Sequence, residues 1–254
     1  MTASPPTSPP SKSITPSEVT APAQPGSPLL RHRTVLAIAL PIMVSNISTP
    51  LLGLVDMAAI GRIGGAAPIG AVSLGALVFT FVFWGFNFLR MATTGLTAQA
   101  VGGQDSTAMV DHLGRAVLVA LGAGVVLVML QWPISTVGFA LLDGSPGVEK
   151  LAADYVAIRF WSAPATLCNY ALLGWFIGLG RARIALVLQL VLNLTNIGLD
   201  VFFVLGLGWG VRGVALGSVI AELLAAAVGL RMALGVLRSL GVPISLRRLR
   251  DVTA

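Results

Sequence analysis

Six stretches of this chain are long and apolar enough to cross a lipid bilayer as helices, and that constrains its fold before any motif is consulted. They run roughly from Thr34 to Ile60, Ile69 to Val101, Gly114 to Phe139, Leu151 to Leu179, Ile184 to Leu207 and Val211 to Leu234. Crossing a hydrocarbon layer of about 30 Å takes about 20 helical residues. Backbone groups that meet no water there must bond within their own segment, so such spans are helices. The expected fold class is an all-α integral membrane protein, a bundle of six transmembrane helices over residues 31–240.

Charge supports this and orients the bundle. Only 10% of the 254 residues are charged and 56% are apolar, against about 25% charged in a soluble domain. With the N-terminus inside, the inner connections and tails hold Arg31, Arg33, Arg115, Arg181, Arg183, Arg231, Arg238, Arg247, Arg248 and Arg250. The outer ones hold Arg62, Lys150 and Arg212. Basic residues collect on the cytoplasmic side, so both termini are expected there. The net charge of +6 therefore suits a membrane face, and without a basic patch carrying interleaved aromatics no nucleic-acid partner is expected.

The flanks read differently from the bundle. Residues 1–30 are rich in Pro, Ser and Thr and too polar to bury a core, so a disordered cytoplasmic tail is expected. No apolar run lies between Met1 and Pro28, which argues against a cleaved secretory signal. Residues 241–254 are expected to be a basic cytoplasmic segment, either the start of an inter-lobe linker or a truncated end. Prolines at 41, 50, 133 and 164 predict bends within or at the ends of spans. Cys168 is the one cysteine, so no intrachain disulfide can form.

One helical face carries chemistry. Gln189, Asn193, Asn196 and Asp200 fall within roughly 60° of one another at helical spacing, as a polar stripe on the fifth span. Counting about 1.5 Å per residue from the outer ends, Asp56 lies about 6 Å down, Asp200 about 9 Å and Ser218 about 10 Å. Glu222 is deeper, one turn from Ser218. An isolated Asn or Ser in a membrane helix is often interhelical glue. A pair of carboxyls at one depth is another matter, because each must be protonated, paired or hydrated, and such a pair can load and release a proton. Arg159 and Arg90 are intramembrane cations; a structural salt bridge from Arg159 to an outer acid is the competing explanation.

Signatures of soluble catalysis are missing. His32 and His112 have no partners at metal-ligand spacing, and no Gly-rich turn leads into Lys-Ser or Lys-Thr. No enzyme activity, cofactor or firm metal site is expected. Phe79, Trp84, Phe86 and Trp175 are candidate walls of a substrate pocket.

Two further stretches identify relatives. Pro50-Leu51-Leu52-Gly53-Leu54-Val55-Asp56 with Ile60-Gly61, then Phe88-Leu89-Arg90-Met91-Ala92-Thr93-Thr94-Gly95-Leu96-Thr97-Ala98-Gln99, resemble the first two helices of multidrug and toxic compound extrusion (MATE) transporters of the DinF-like branch. Gly178 to Arg181, Asn193 to Asp200, Gly208 to Val211 and Ala221-Glu222 resemble its fifth and sixth helices. The likeness covers about residues 34–240. It implies a secondary transporter of the bacterial inner membrane that exports cationic or amphipathic compounds in exchange for protons or sodium ions. By position, its cation-coupling residues fall on Asp56, Asn196, Asp200 and Ser218, where relatives often have Thr. Pro41 takes the place of the bending first-helix proline. Glu222 and Arg159 are accessory candidates.

Family members have twelve helices in two lobes, and this chain resembles the amino-terminal lobe alone. The second six-helix lobe would be either a missing carboxy-terminal half, the favoured reading, or a second copy. The resulting hypothesis is a cation-coupled antiporter lobe in the lipid bilayer. Asp56 and Asp200 hold a proton or, at Asp56, Asn196 and Asp200, a sodium ion, with the proton preferred because it needs fewer ligands. The alternatives are a non-transporting helical scaffold or inactive fragment, and a lipid-linked precursor flippase, whose cavity would be more cationic.

Overall fold

Apolar segments rich in Leu, Val and Ala close their backbone hydrogen bonds locally where water is scarce. In the computed structural model, which describes residues 43, 53–62, 65–142 and 144–241, regular structure is helical throughout. These belong to the unit Ile38–Ala254; the other unit, Met1–Ala37, lies outside the described residues. So do Pro41, Pro50, His32, most of the first span, the 1–30 tail and residues 242–254.

The helices, in order, are α1 (53–61), α2 (Ala66–Trp84), α3 (Asn87–Gly102), α4 (Ser106–Met129), α5 (Gln131–Leu142), α6 (Pro146–Arg159), α7 (Ala163–Gly178), α8 (Ala182–Asp200) and α9 (Gly210–Leu240). Their ends follow local chemistry. Asp105 caps α4 by accepting from the Ala108 amide at 2.9 Å, which satisfies one of the free donors at a helix start. Pro146 stands in the first turn of α6, where a missing N–H costs nothing. A 3₁₀ turn, Phe160–Ser162, joins α6 to α7, and a wider π-type turn, Val201–Gly206, extends α8.

Four described helical stretches are long and apolar enough to cross a membrane: Ala66–Gly102, Ser106–Met129, Ala182–Gly206 and Gly210–Ser239. Three expected spans are interrupted. The second breaks at Gly85–Phe86 without a proline; the third breaks at Leu130, just before Pro133; the fourth breaks at Phe160–Ser162, just before Pro164. A proline in the first turn of a helix that has just restarted keeps its ring clear of a preceding carbonyl.

The centre of the unit is α7, which packs on α3, α4 and α9, while α2 packs on α6 and α8 on α9. Thirteen of its sixteen residues are buried. Small residues make this possible. A Cβ at Gly174 would stand 2.5 Å from the Arg90 carbonyl oxygen and one at Gly178 would stand 2.7 Å from that of Thr94. Across the same contact, Thr94 donates to the Gly174 carbonyl at 3.1 Å. Leu118, Val119, Val125, Val126, Phe202 and Leu223 are among the exposed large apolar residues, as expected of helices whose outer surface meets lipid.

Trp175 departs from its expected place as a pocket wall. It is fully buried, and its indole N–H donates to the Met109 carbonyl at 2.8 Å. An aromatic ring with a polar edge fits a membrane core only where that edge finds a partner, and α4 supplies one.

Candidate functional site

Two polar clusters lie inside the bundle. The first is built on α8. Asn196 and Asp200 are one turn apart and both turn inward, 1% and 0% exposed. Opposite them α9 comes unusually close, because position 217 has no side chain: a Cβ there would stand 2.5 Å from Asp200 Oδ1. One residue on, Ser218 Oγ accepts from Asn196 Nδ2 at 3.1 Å. From α1, Asp56 joins Asp200, near enough for one carboxyl to hydrogen-bond the other when they share a proton.

This cluster is rich in acceptors and poor in donors. Asp56 Oδ1, both carboxyl oxygens of Asp200 and Asn196 Oδ1 are buried without a hydrogen-bond partner. Ionised carboxylates only accept, so two of them side by side need a proton or a cation between them. Burying such oxygens unpaired costs on the order of 1–3 kcal/mol each, more when charged. The arrangement therefore fits a site that takes up a small positive species, and its oxygens suit either a proton or a hard cation such as sodium. Among the described residues no group of three or more His, Cys, Asp or Glu side chains gathers as a metal site.

The second cluster surrounds Arg159 at the end of α6. Its guanidinium pairs with Glu222 of α9 at 3.5 Å, donates to Ser162 Oγ, and lies 4.1 Å over the ring centre of Phe79. Glu222 also accepts from Asn169 Nδ2 of α7 at 2.7 Å, and the same amide nitrogen reaches the Glu222 carbonyl at 3.1 Å. The salt bridge thus goes to Glu222 and not to Asp56 or Asp200, although Arg159 stays within electrostatic range of both. Tyr155, buried one turn before it, lies within electrostatic range of Arg159, Asp56 and Asp200. Its ring occupies the room left by Gly75, where a Cβ would stand 2.5 Å away.

Arg159, Glu222 and Asn169 line a cavity of about 390 Å³ with Arg90, Gln189, Asn193, Tyr170, Phe79, Phe83 and Trp84. The inner end of the α8 stripe therefore faces this cavity, with Gln189 Nε2 donating to Asn193 Oδ1 at 3.0 Å. Of the expected pocket walls, Phe79 and Trp84 line it. Its pair of arginines against one glutamate makes it more cationic than the sequence suggested. Of the sequence-derived candidates, Asp56, Asn196, Asp200 and Ser218 gather in the first cluster and Glu222 and Arg159 in the second; Pro41 lies outside the described residues.

Asn169, Tyr155 and Gly217 were not singled out from sequence. Tyr155 sits four residues before Arg159, a spacing that puts both on one helical face, and that was the available signal. Asn169 and Gly217 matter through contacts across helices, for which the sequence offers no local mark.

The sequence model of the MatE family matches residues 41–202. The chain is similar to DNA damage-inducible protein F of Escherichia coli (strain K12), with 43% identity over 205 residues that cover 81% of this chain and 45% of that protein. It is 28% identical to the probable multidrug resistance protein NorM of Neisseria meningitidis serogroup A over 175 residues, 68% of this chain and 38% of that one. A solved MOP superfamily transporter from Pyrococcus furiosus shares the fold, with a TM-score of 0.77 at 22% identity over 87% of this chain and 48% of that one. The chain spans less than half the length of each, and those proteins continue beyond the lobe it matches. The family match takes in Asp56, Asn196 and Asp200, and on that match and the 43% identity this multi-pass membrane protein belongs to the MatE family.

Proposed function

We propose that this lobe is the cation-coupling half of an efflux transporter in the bacterial inner membrane, with both termini cytoplasmic. It exports cationic or amphipathic compounds in exchange for protons. The observation that carries the reading is Asp200: fully buried, beside a second carboxyl, with neither oxygen hydrogen-bonded. Such a group is expensive to keep in a membrane unless its charge changes during the working cycle.

Asp56 and Asp200 bind the coupling ion. Asn196 and Ser218 hold the site in shape, the amide nitrogen on the hydroxyl and the amide oxygen turned to the ion. A proton needs one acceptor, whereas sodium would draw on Asp56, Asn196 and Asp200 together; the proton is the preferred ion. No cofactor and no enzymatic step enters the cycle. The compound moves between this lobe and a second six-helix lobe, because ion and substrate sites of secondary transporters lie where two such halves meet.

The test is efflux from vesicles carrying Asp56→Asn or Asp200→Asn, driven by an imposed proton gradient. Loss of gradient-driven efflux with retained folding is expected. Transport that continues unchanged in both variants would sink the proposal and favour a non-transporting helical scaffold. The cationic cavity keeps a lipid-linked precursor flippase as the second reading, which predicts that an anionic lipid-phosphate headgroup, and no organic cation, is moved.

A further inference from the structure

Another cavity, of about 320 Å³, opens where α2, α6 and α9 meet. It is lined by Pro68 of α2, Leu151 and Asp154 of α6, and the chain from Gly208 to Arg212 that leads into α9. It shares no lining residue with the cavity around Arg159. The apolar stretches Ala66–Gly102 and Gly210–Ser239, each long enough to cross a membrane, both begin here. The cavity therefore stands where hydrocarbon gives way to water, and on the orientation proposed above that is the outer leaflet.

Its charged wall is one ion pair, and each half of the pair is only partly used. Arg212 Nε and Nη2 both donate to the same oxygen, Asp154 Oδ2, at 3.2 and 2.9 Å. Asp154 Oδ1 and Arg212 Nη1 make no hydrogen bond among the described residues. Both side chains reach water, the arginine 67% and the aspartate 39% exposed. A bare anion entering here meets the carboxylate, and a bare cation meets the guanidinium. A ligand that carries both signs meets the opposite sign at each end. Lys150, exposed one turn before Asp154 on the same face of α6, adds a second cation beside the pair.

The aromatic wall suits a lipid. Trp209 is half exposed and its ring lies parallel to that of Phe203, 3° apart in plane with centres 5.1 Å apart. An indole fixed at a membrane boundary offers an apolar face to the upper acyl chain and an N–H to an ester carbonyl. Leu205 and Leu207, on the chain leading into the cavity, are also exposed.

We infer that this cavity binds the headgroup of a phospholipid carrying a phosphate and a primary ammonium together, a phosphatidylethanolamine. The phosphate accepts from Arg212 Nη1, since a guanidinium matches phosphate oxygens, with Lys150 as a further cation. The ammonium donates to Asp154 Oδ1. The Asp154–Arg212 pair stays closed, so four charges alternate in sign and the lipid ties α6 to α9. The volume is at the low end of the roughly 300–1,000 Å³ of small-molecule sites, which admits a headgroup and leaves the acyl chains in the bilayer. A choline headgroup carries the same charges without an N–H for Oδ1, and a glycerol headgroup carries no cation. The site is independent of the ion-coupling reading.

The experiment adds dihexanoyl phosphatidylethanolamine, phosphatidylcholine or phosphatidylglycerol to the full chain in detergent and reads the melting temperature. At about 100 times its dissociation constant the ethanolamine lipid should raise the wild-type melting temperature by about 5–10 °C. The other two should bind about tenfold more weakly and give about half that shift at the same concentration. Asp154→Asn keeps the shape and removes the charge, so it should bring the ethanolamine lipid down to the choline value. Arg212→Gln should weaken both by about tenfold; its side chain is exposed, so the variant should fold with a lipid-free melting temperature near that of wild type. If Asp154→Asn does not fold, Arg212→Gln and the comparison of lipids carry the test. Equal binding of the choline and ethanolamine lipids by wild type overturns the inference. So does tighter binding of the glycerol lipid, which would mark a plain basic surface. A folded Asp154→Asn that keeps the ethanolamine preference, or a melting temperature that no lipid moves, overturns it as well.

Discussion

Replacing Gly217 with alanine tests whether the close approach of α9 to α8 positions the carboxyl pair. An added Cβ would stand 2.5 Å from Asp200 Oδ1 and 3.4 Å from Leu199 Cβ. The second distance is ordinary contact; the first is roughly 1 Å too short. The obstructed atom is the end of a short side chain, so the carboxyl can swing aside. Pushing it off its rotamer costs about 0.5–1.5 kcal/mol. At this size 1 kcal/mol moves the melting temperature by about 2–4 °C, so the protein should stay folded with a loss of a few degrees. The functional effect should be much larger, since displacing a reacting group by about 1 Å can cost on the order of a hundredfold. Gly198→Ala is the control: it lies on the same helix two residues from Asp200, is exposed, and its Cβ would meet nothing within 4 Å. The assay pairs thermal unfolding in detergent with proton-driven efflux from vesicles. Full transport by Gly217→Ala, or an equal loss in Gly198→Ala, would refute the reasoning.

Three other substitutions separate packing from chemistry. Gly174→Ala would drive a Cβ to 2.5 Å from the Arg90 carbonyl oxygen and 3.2 Å from its Cα; backbone cannot rotate away, so a stability loss of about 3 kcal/mol is expected, and a melting curve unchanged from wild type would contradict the α3–α7 contact. Ser218→Ala leaves the buried Asn196 Nδ2 without its acceptor and should cost about 1–3 kcal/mol, whereas Ser218→Thr keeps the hydroxyl and should retain ion-coupled efflux; identical behaviour of the two would remove Ser218 from the site. Arg212→Ala breaks the pair with Asp154 at 2.9 Å, but that arginine side chain is 67% exposed, so the change in stability should stay under about 1 kcal/mol and vanish in high salt; a larger loss on unfolding would show the pair to be structural.

The fold class and much of the first cluster follow from properties local to the chain. Apolar runs of membrane length can satisfy their backbone only as helices, so the all-α bundle was legible without any tertiary information. The α8 stripe was legible for the same reason, because helical periodicity is local: Asn196 and Asp200 share a face whatever packs against them. Depth counting then placed Asp56 and Ser218 at a matching level, which is a property of span ends and rise per residue.

Tertiary structure alone decided partners. Whether Arg159 pairs with an outer acid or with Glu222 depends on how α6 turns into α7 and where α9 crosses, and no spacing along the chain records that. Trp175 and Trp84 look alike as apolar aromatics; one is locked to the Met109 carbonyl and the other lines the cavity, since burial is settled by neighbouring helices. The breaks at Gly85, Leu130 and Phe160 interrupt runs that hydropathy reads as continuous, because hydropathy counts apolar side chains and is blind to backbone direction. Gly217 is the clearest case: as one glycine among 29 it carries no message in the sequence, and it matters only because a second helix brings a carboxyl to the place where its side chain would be.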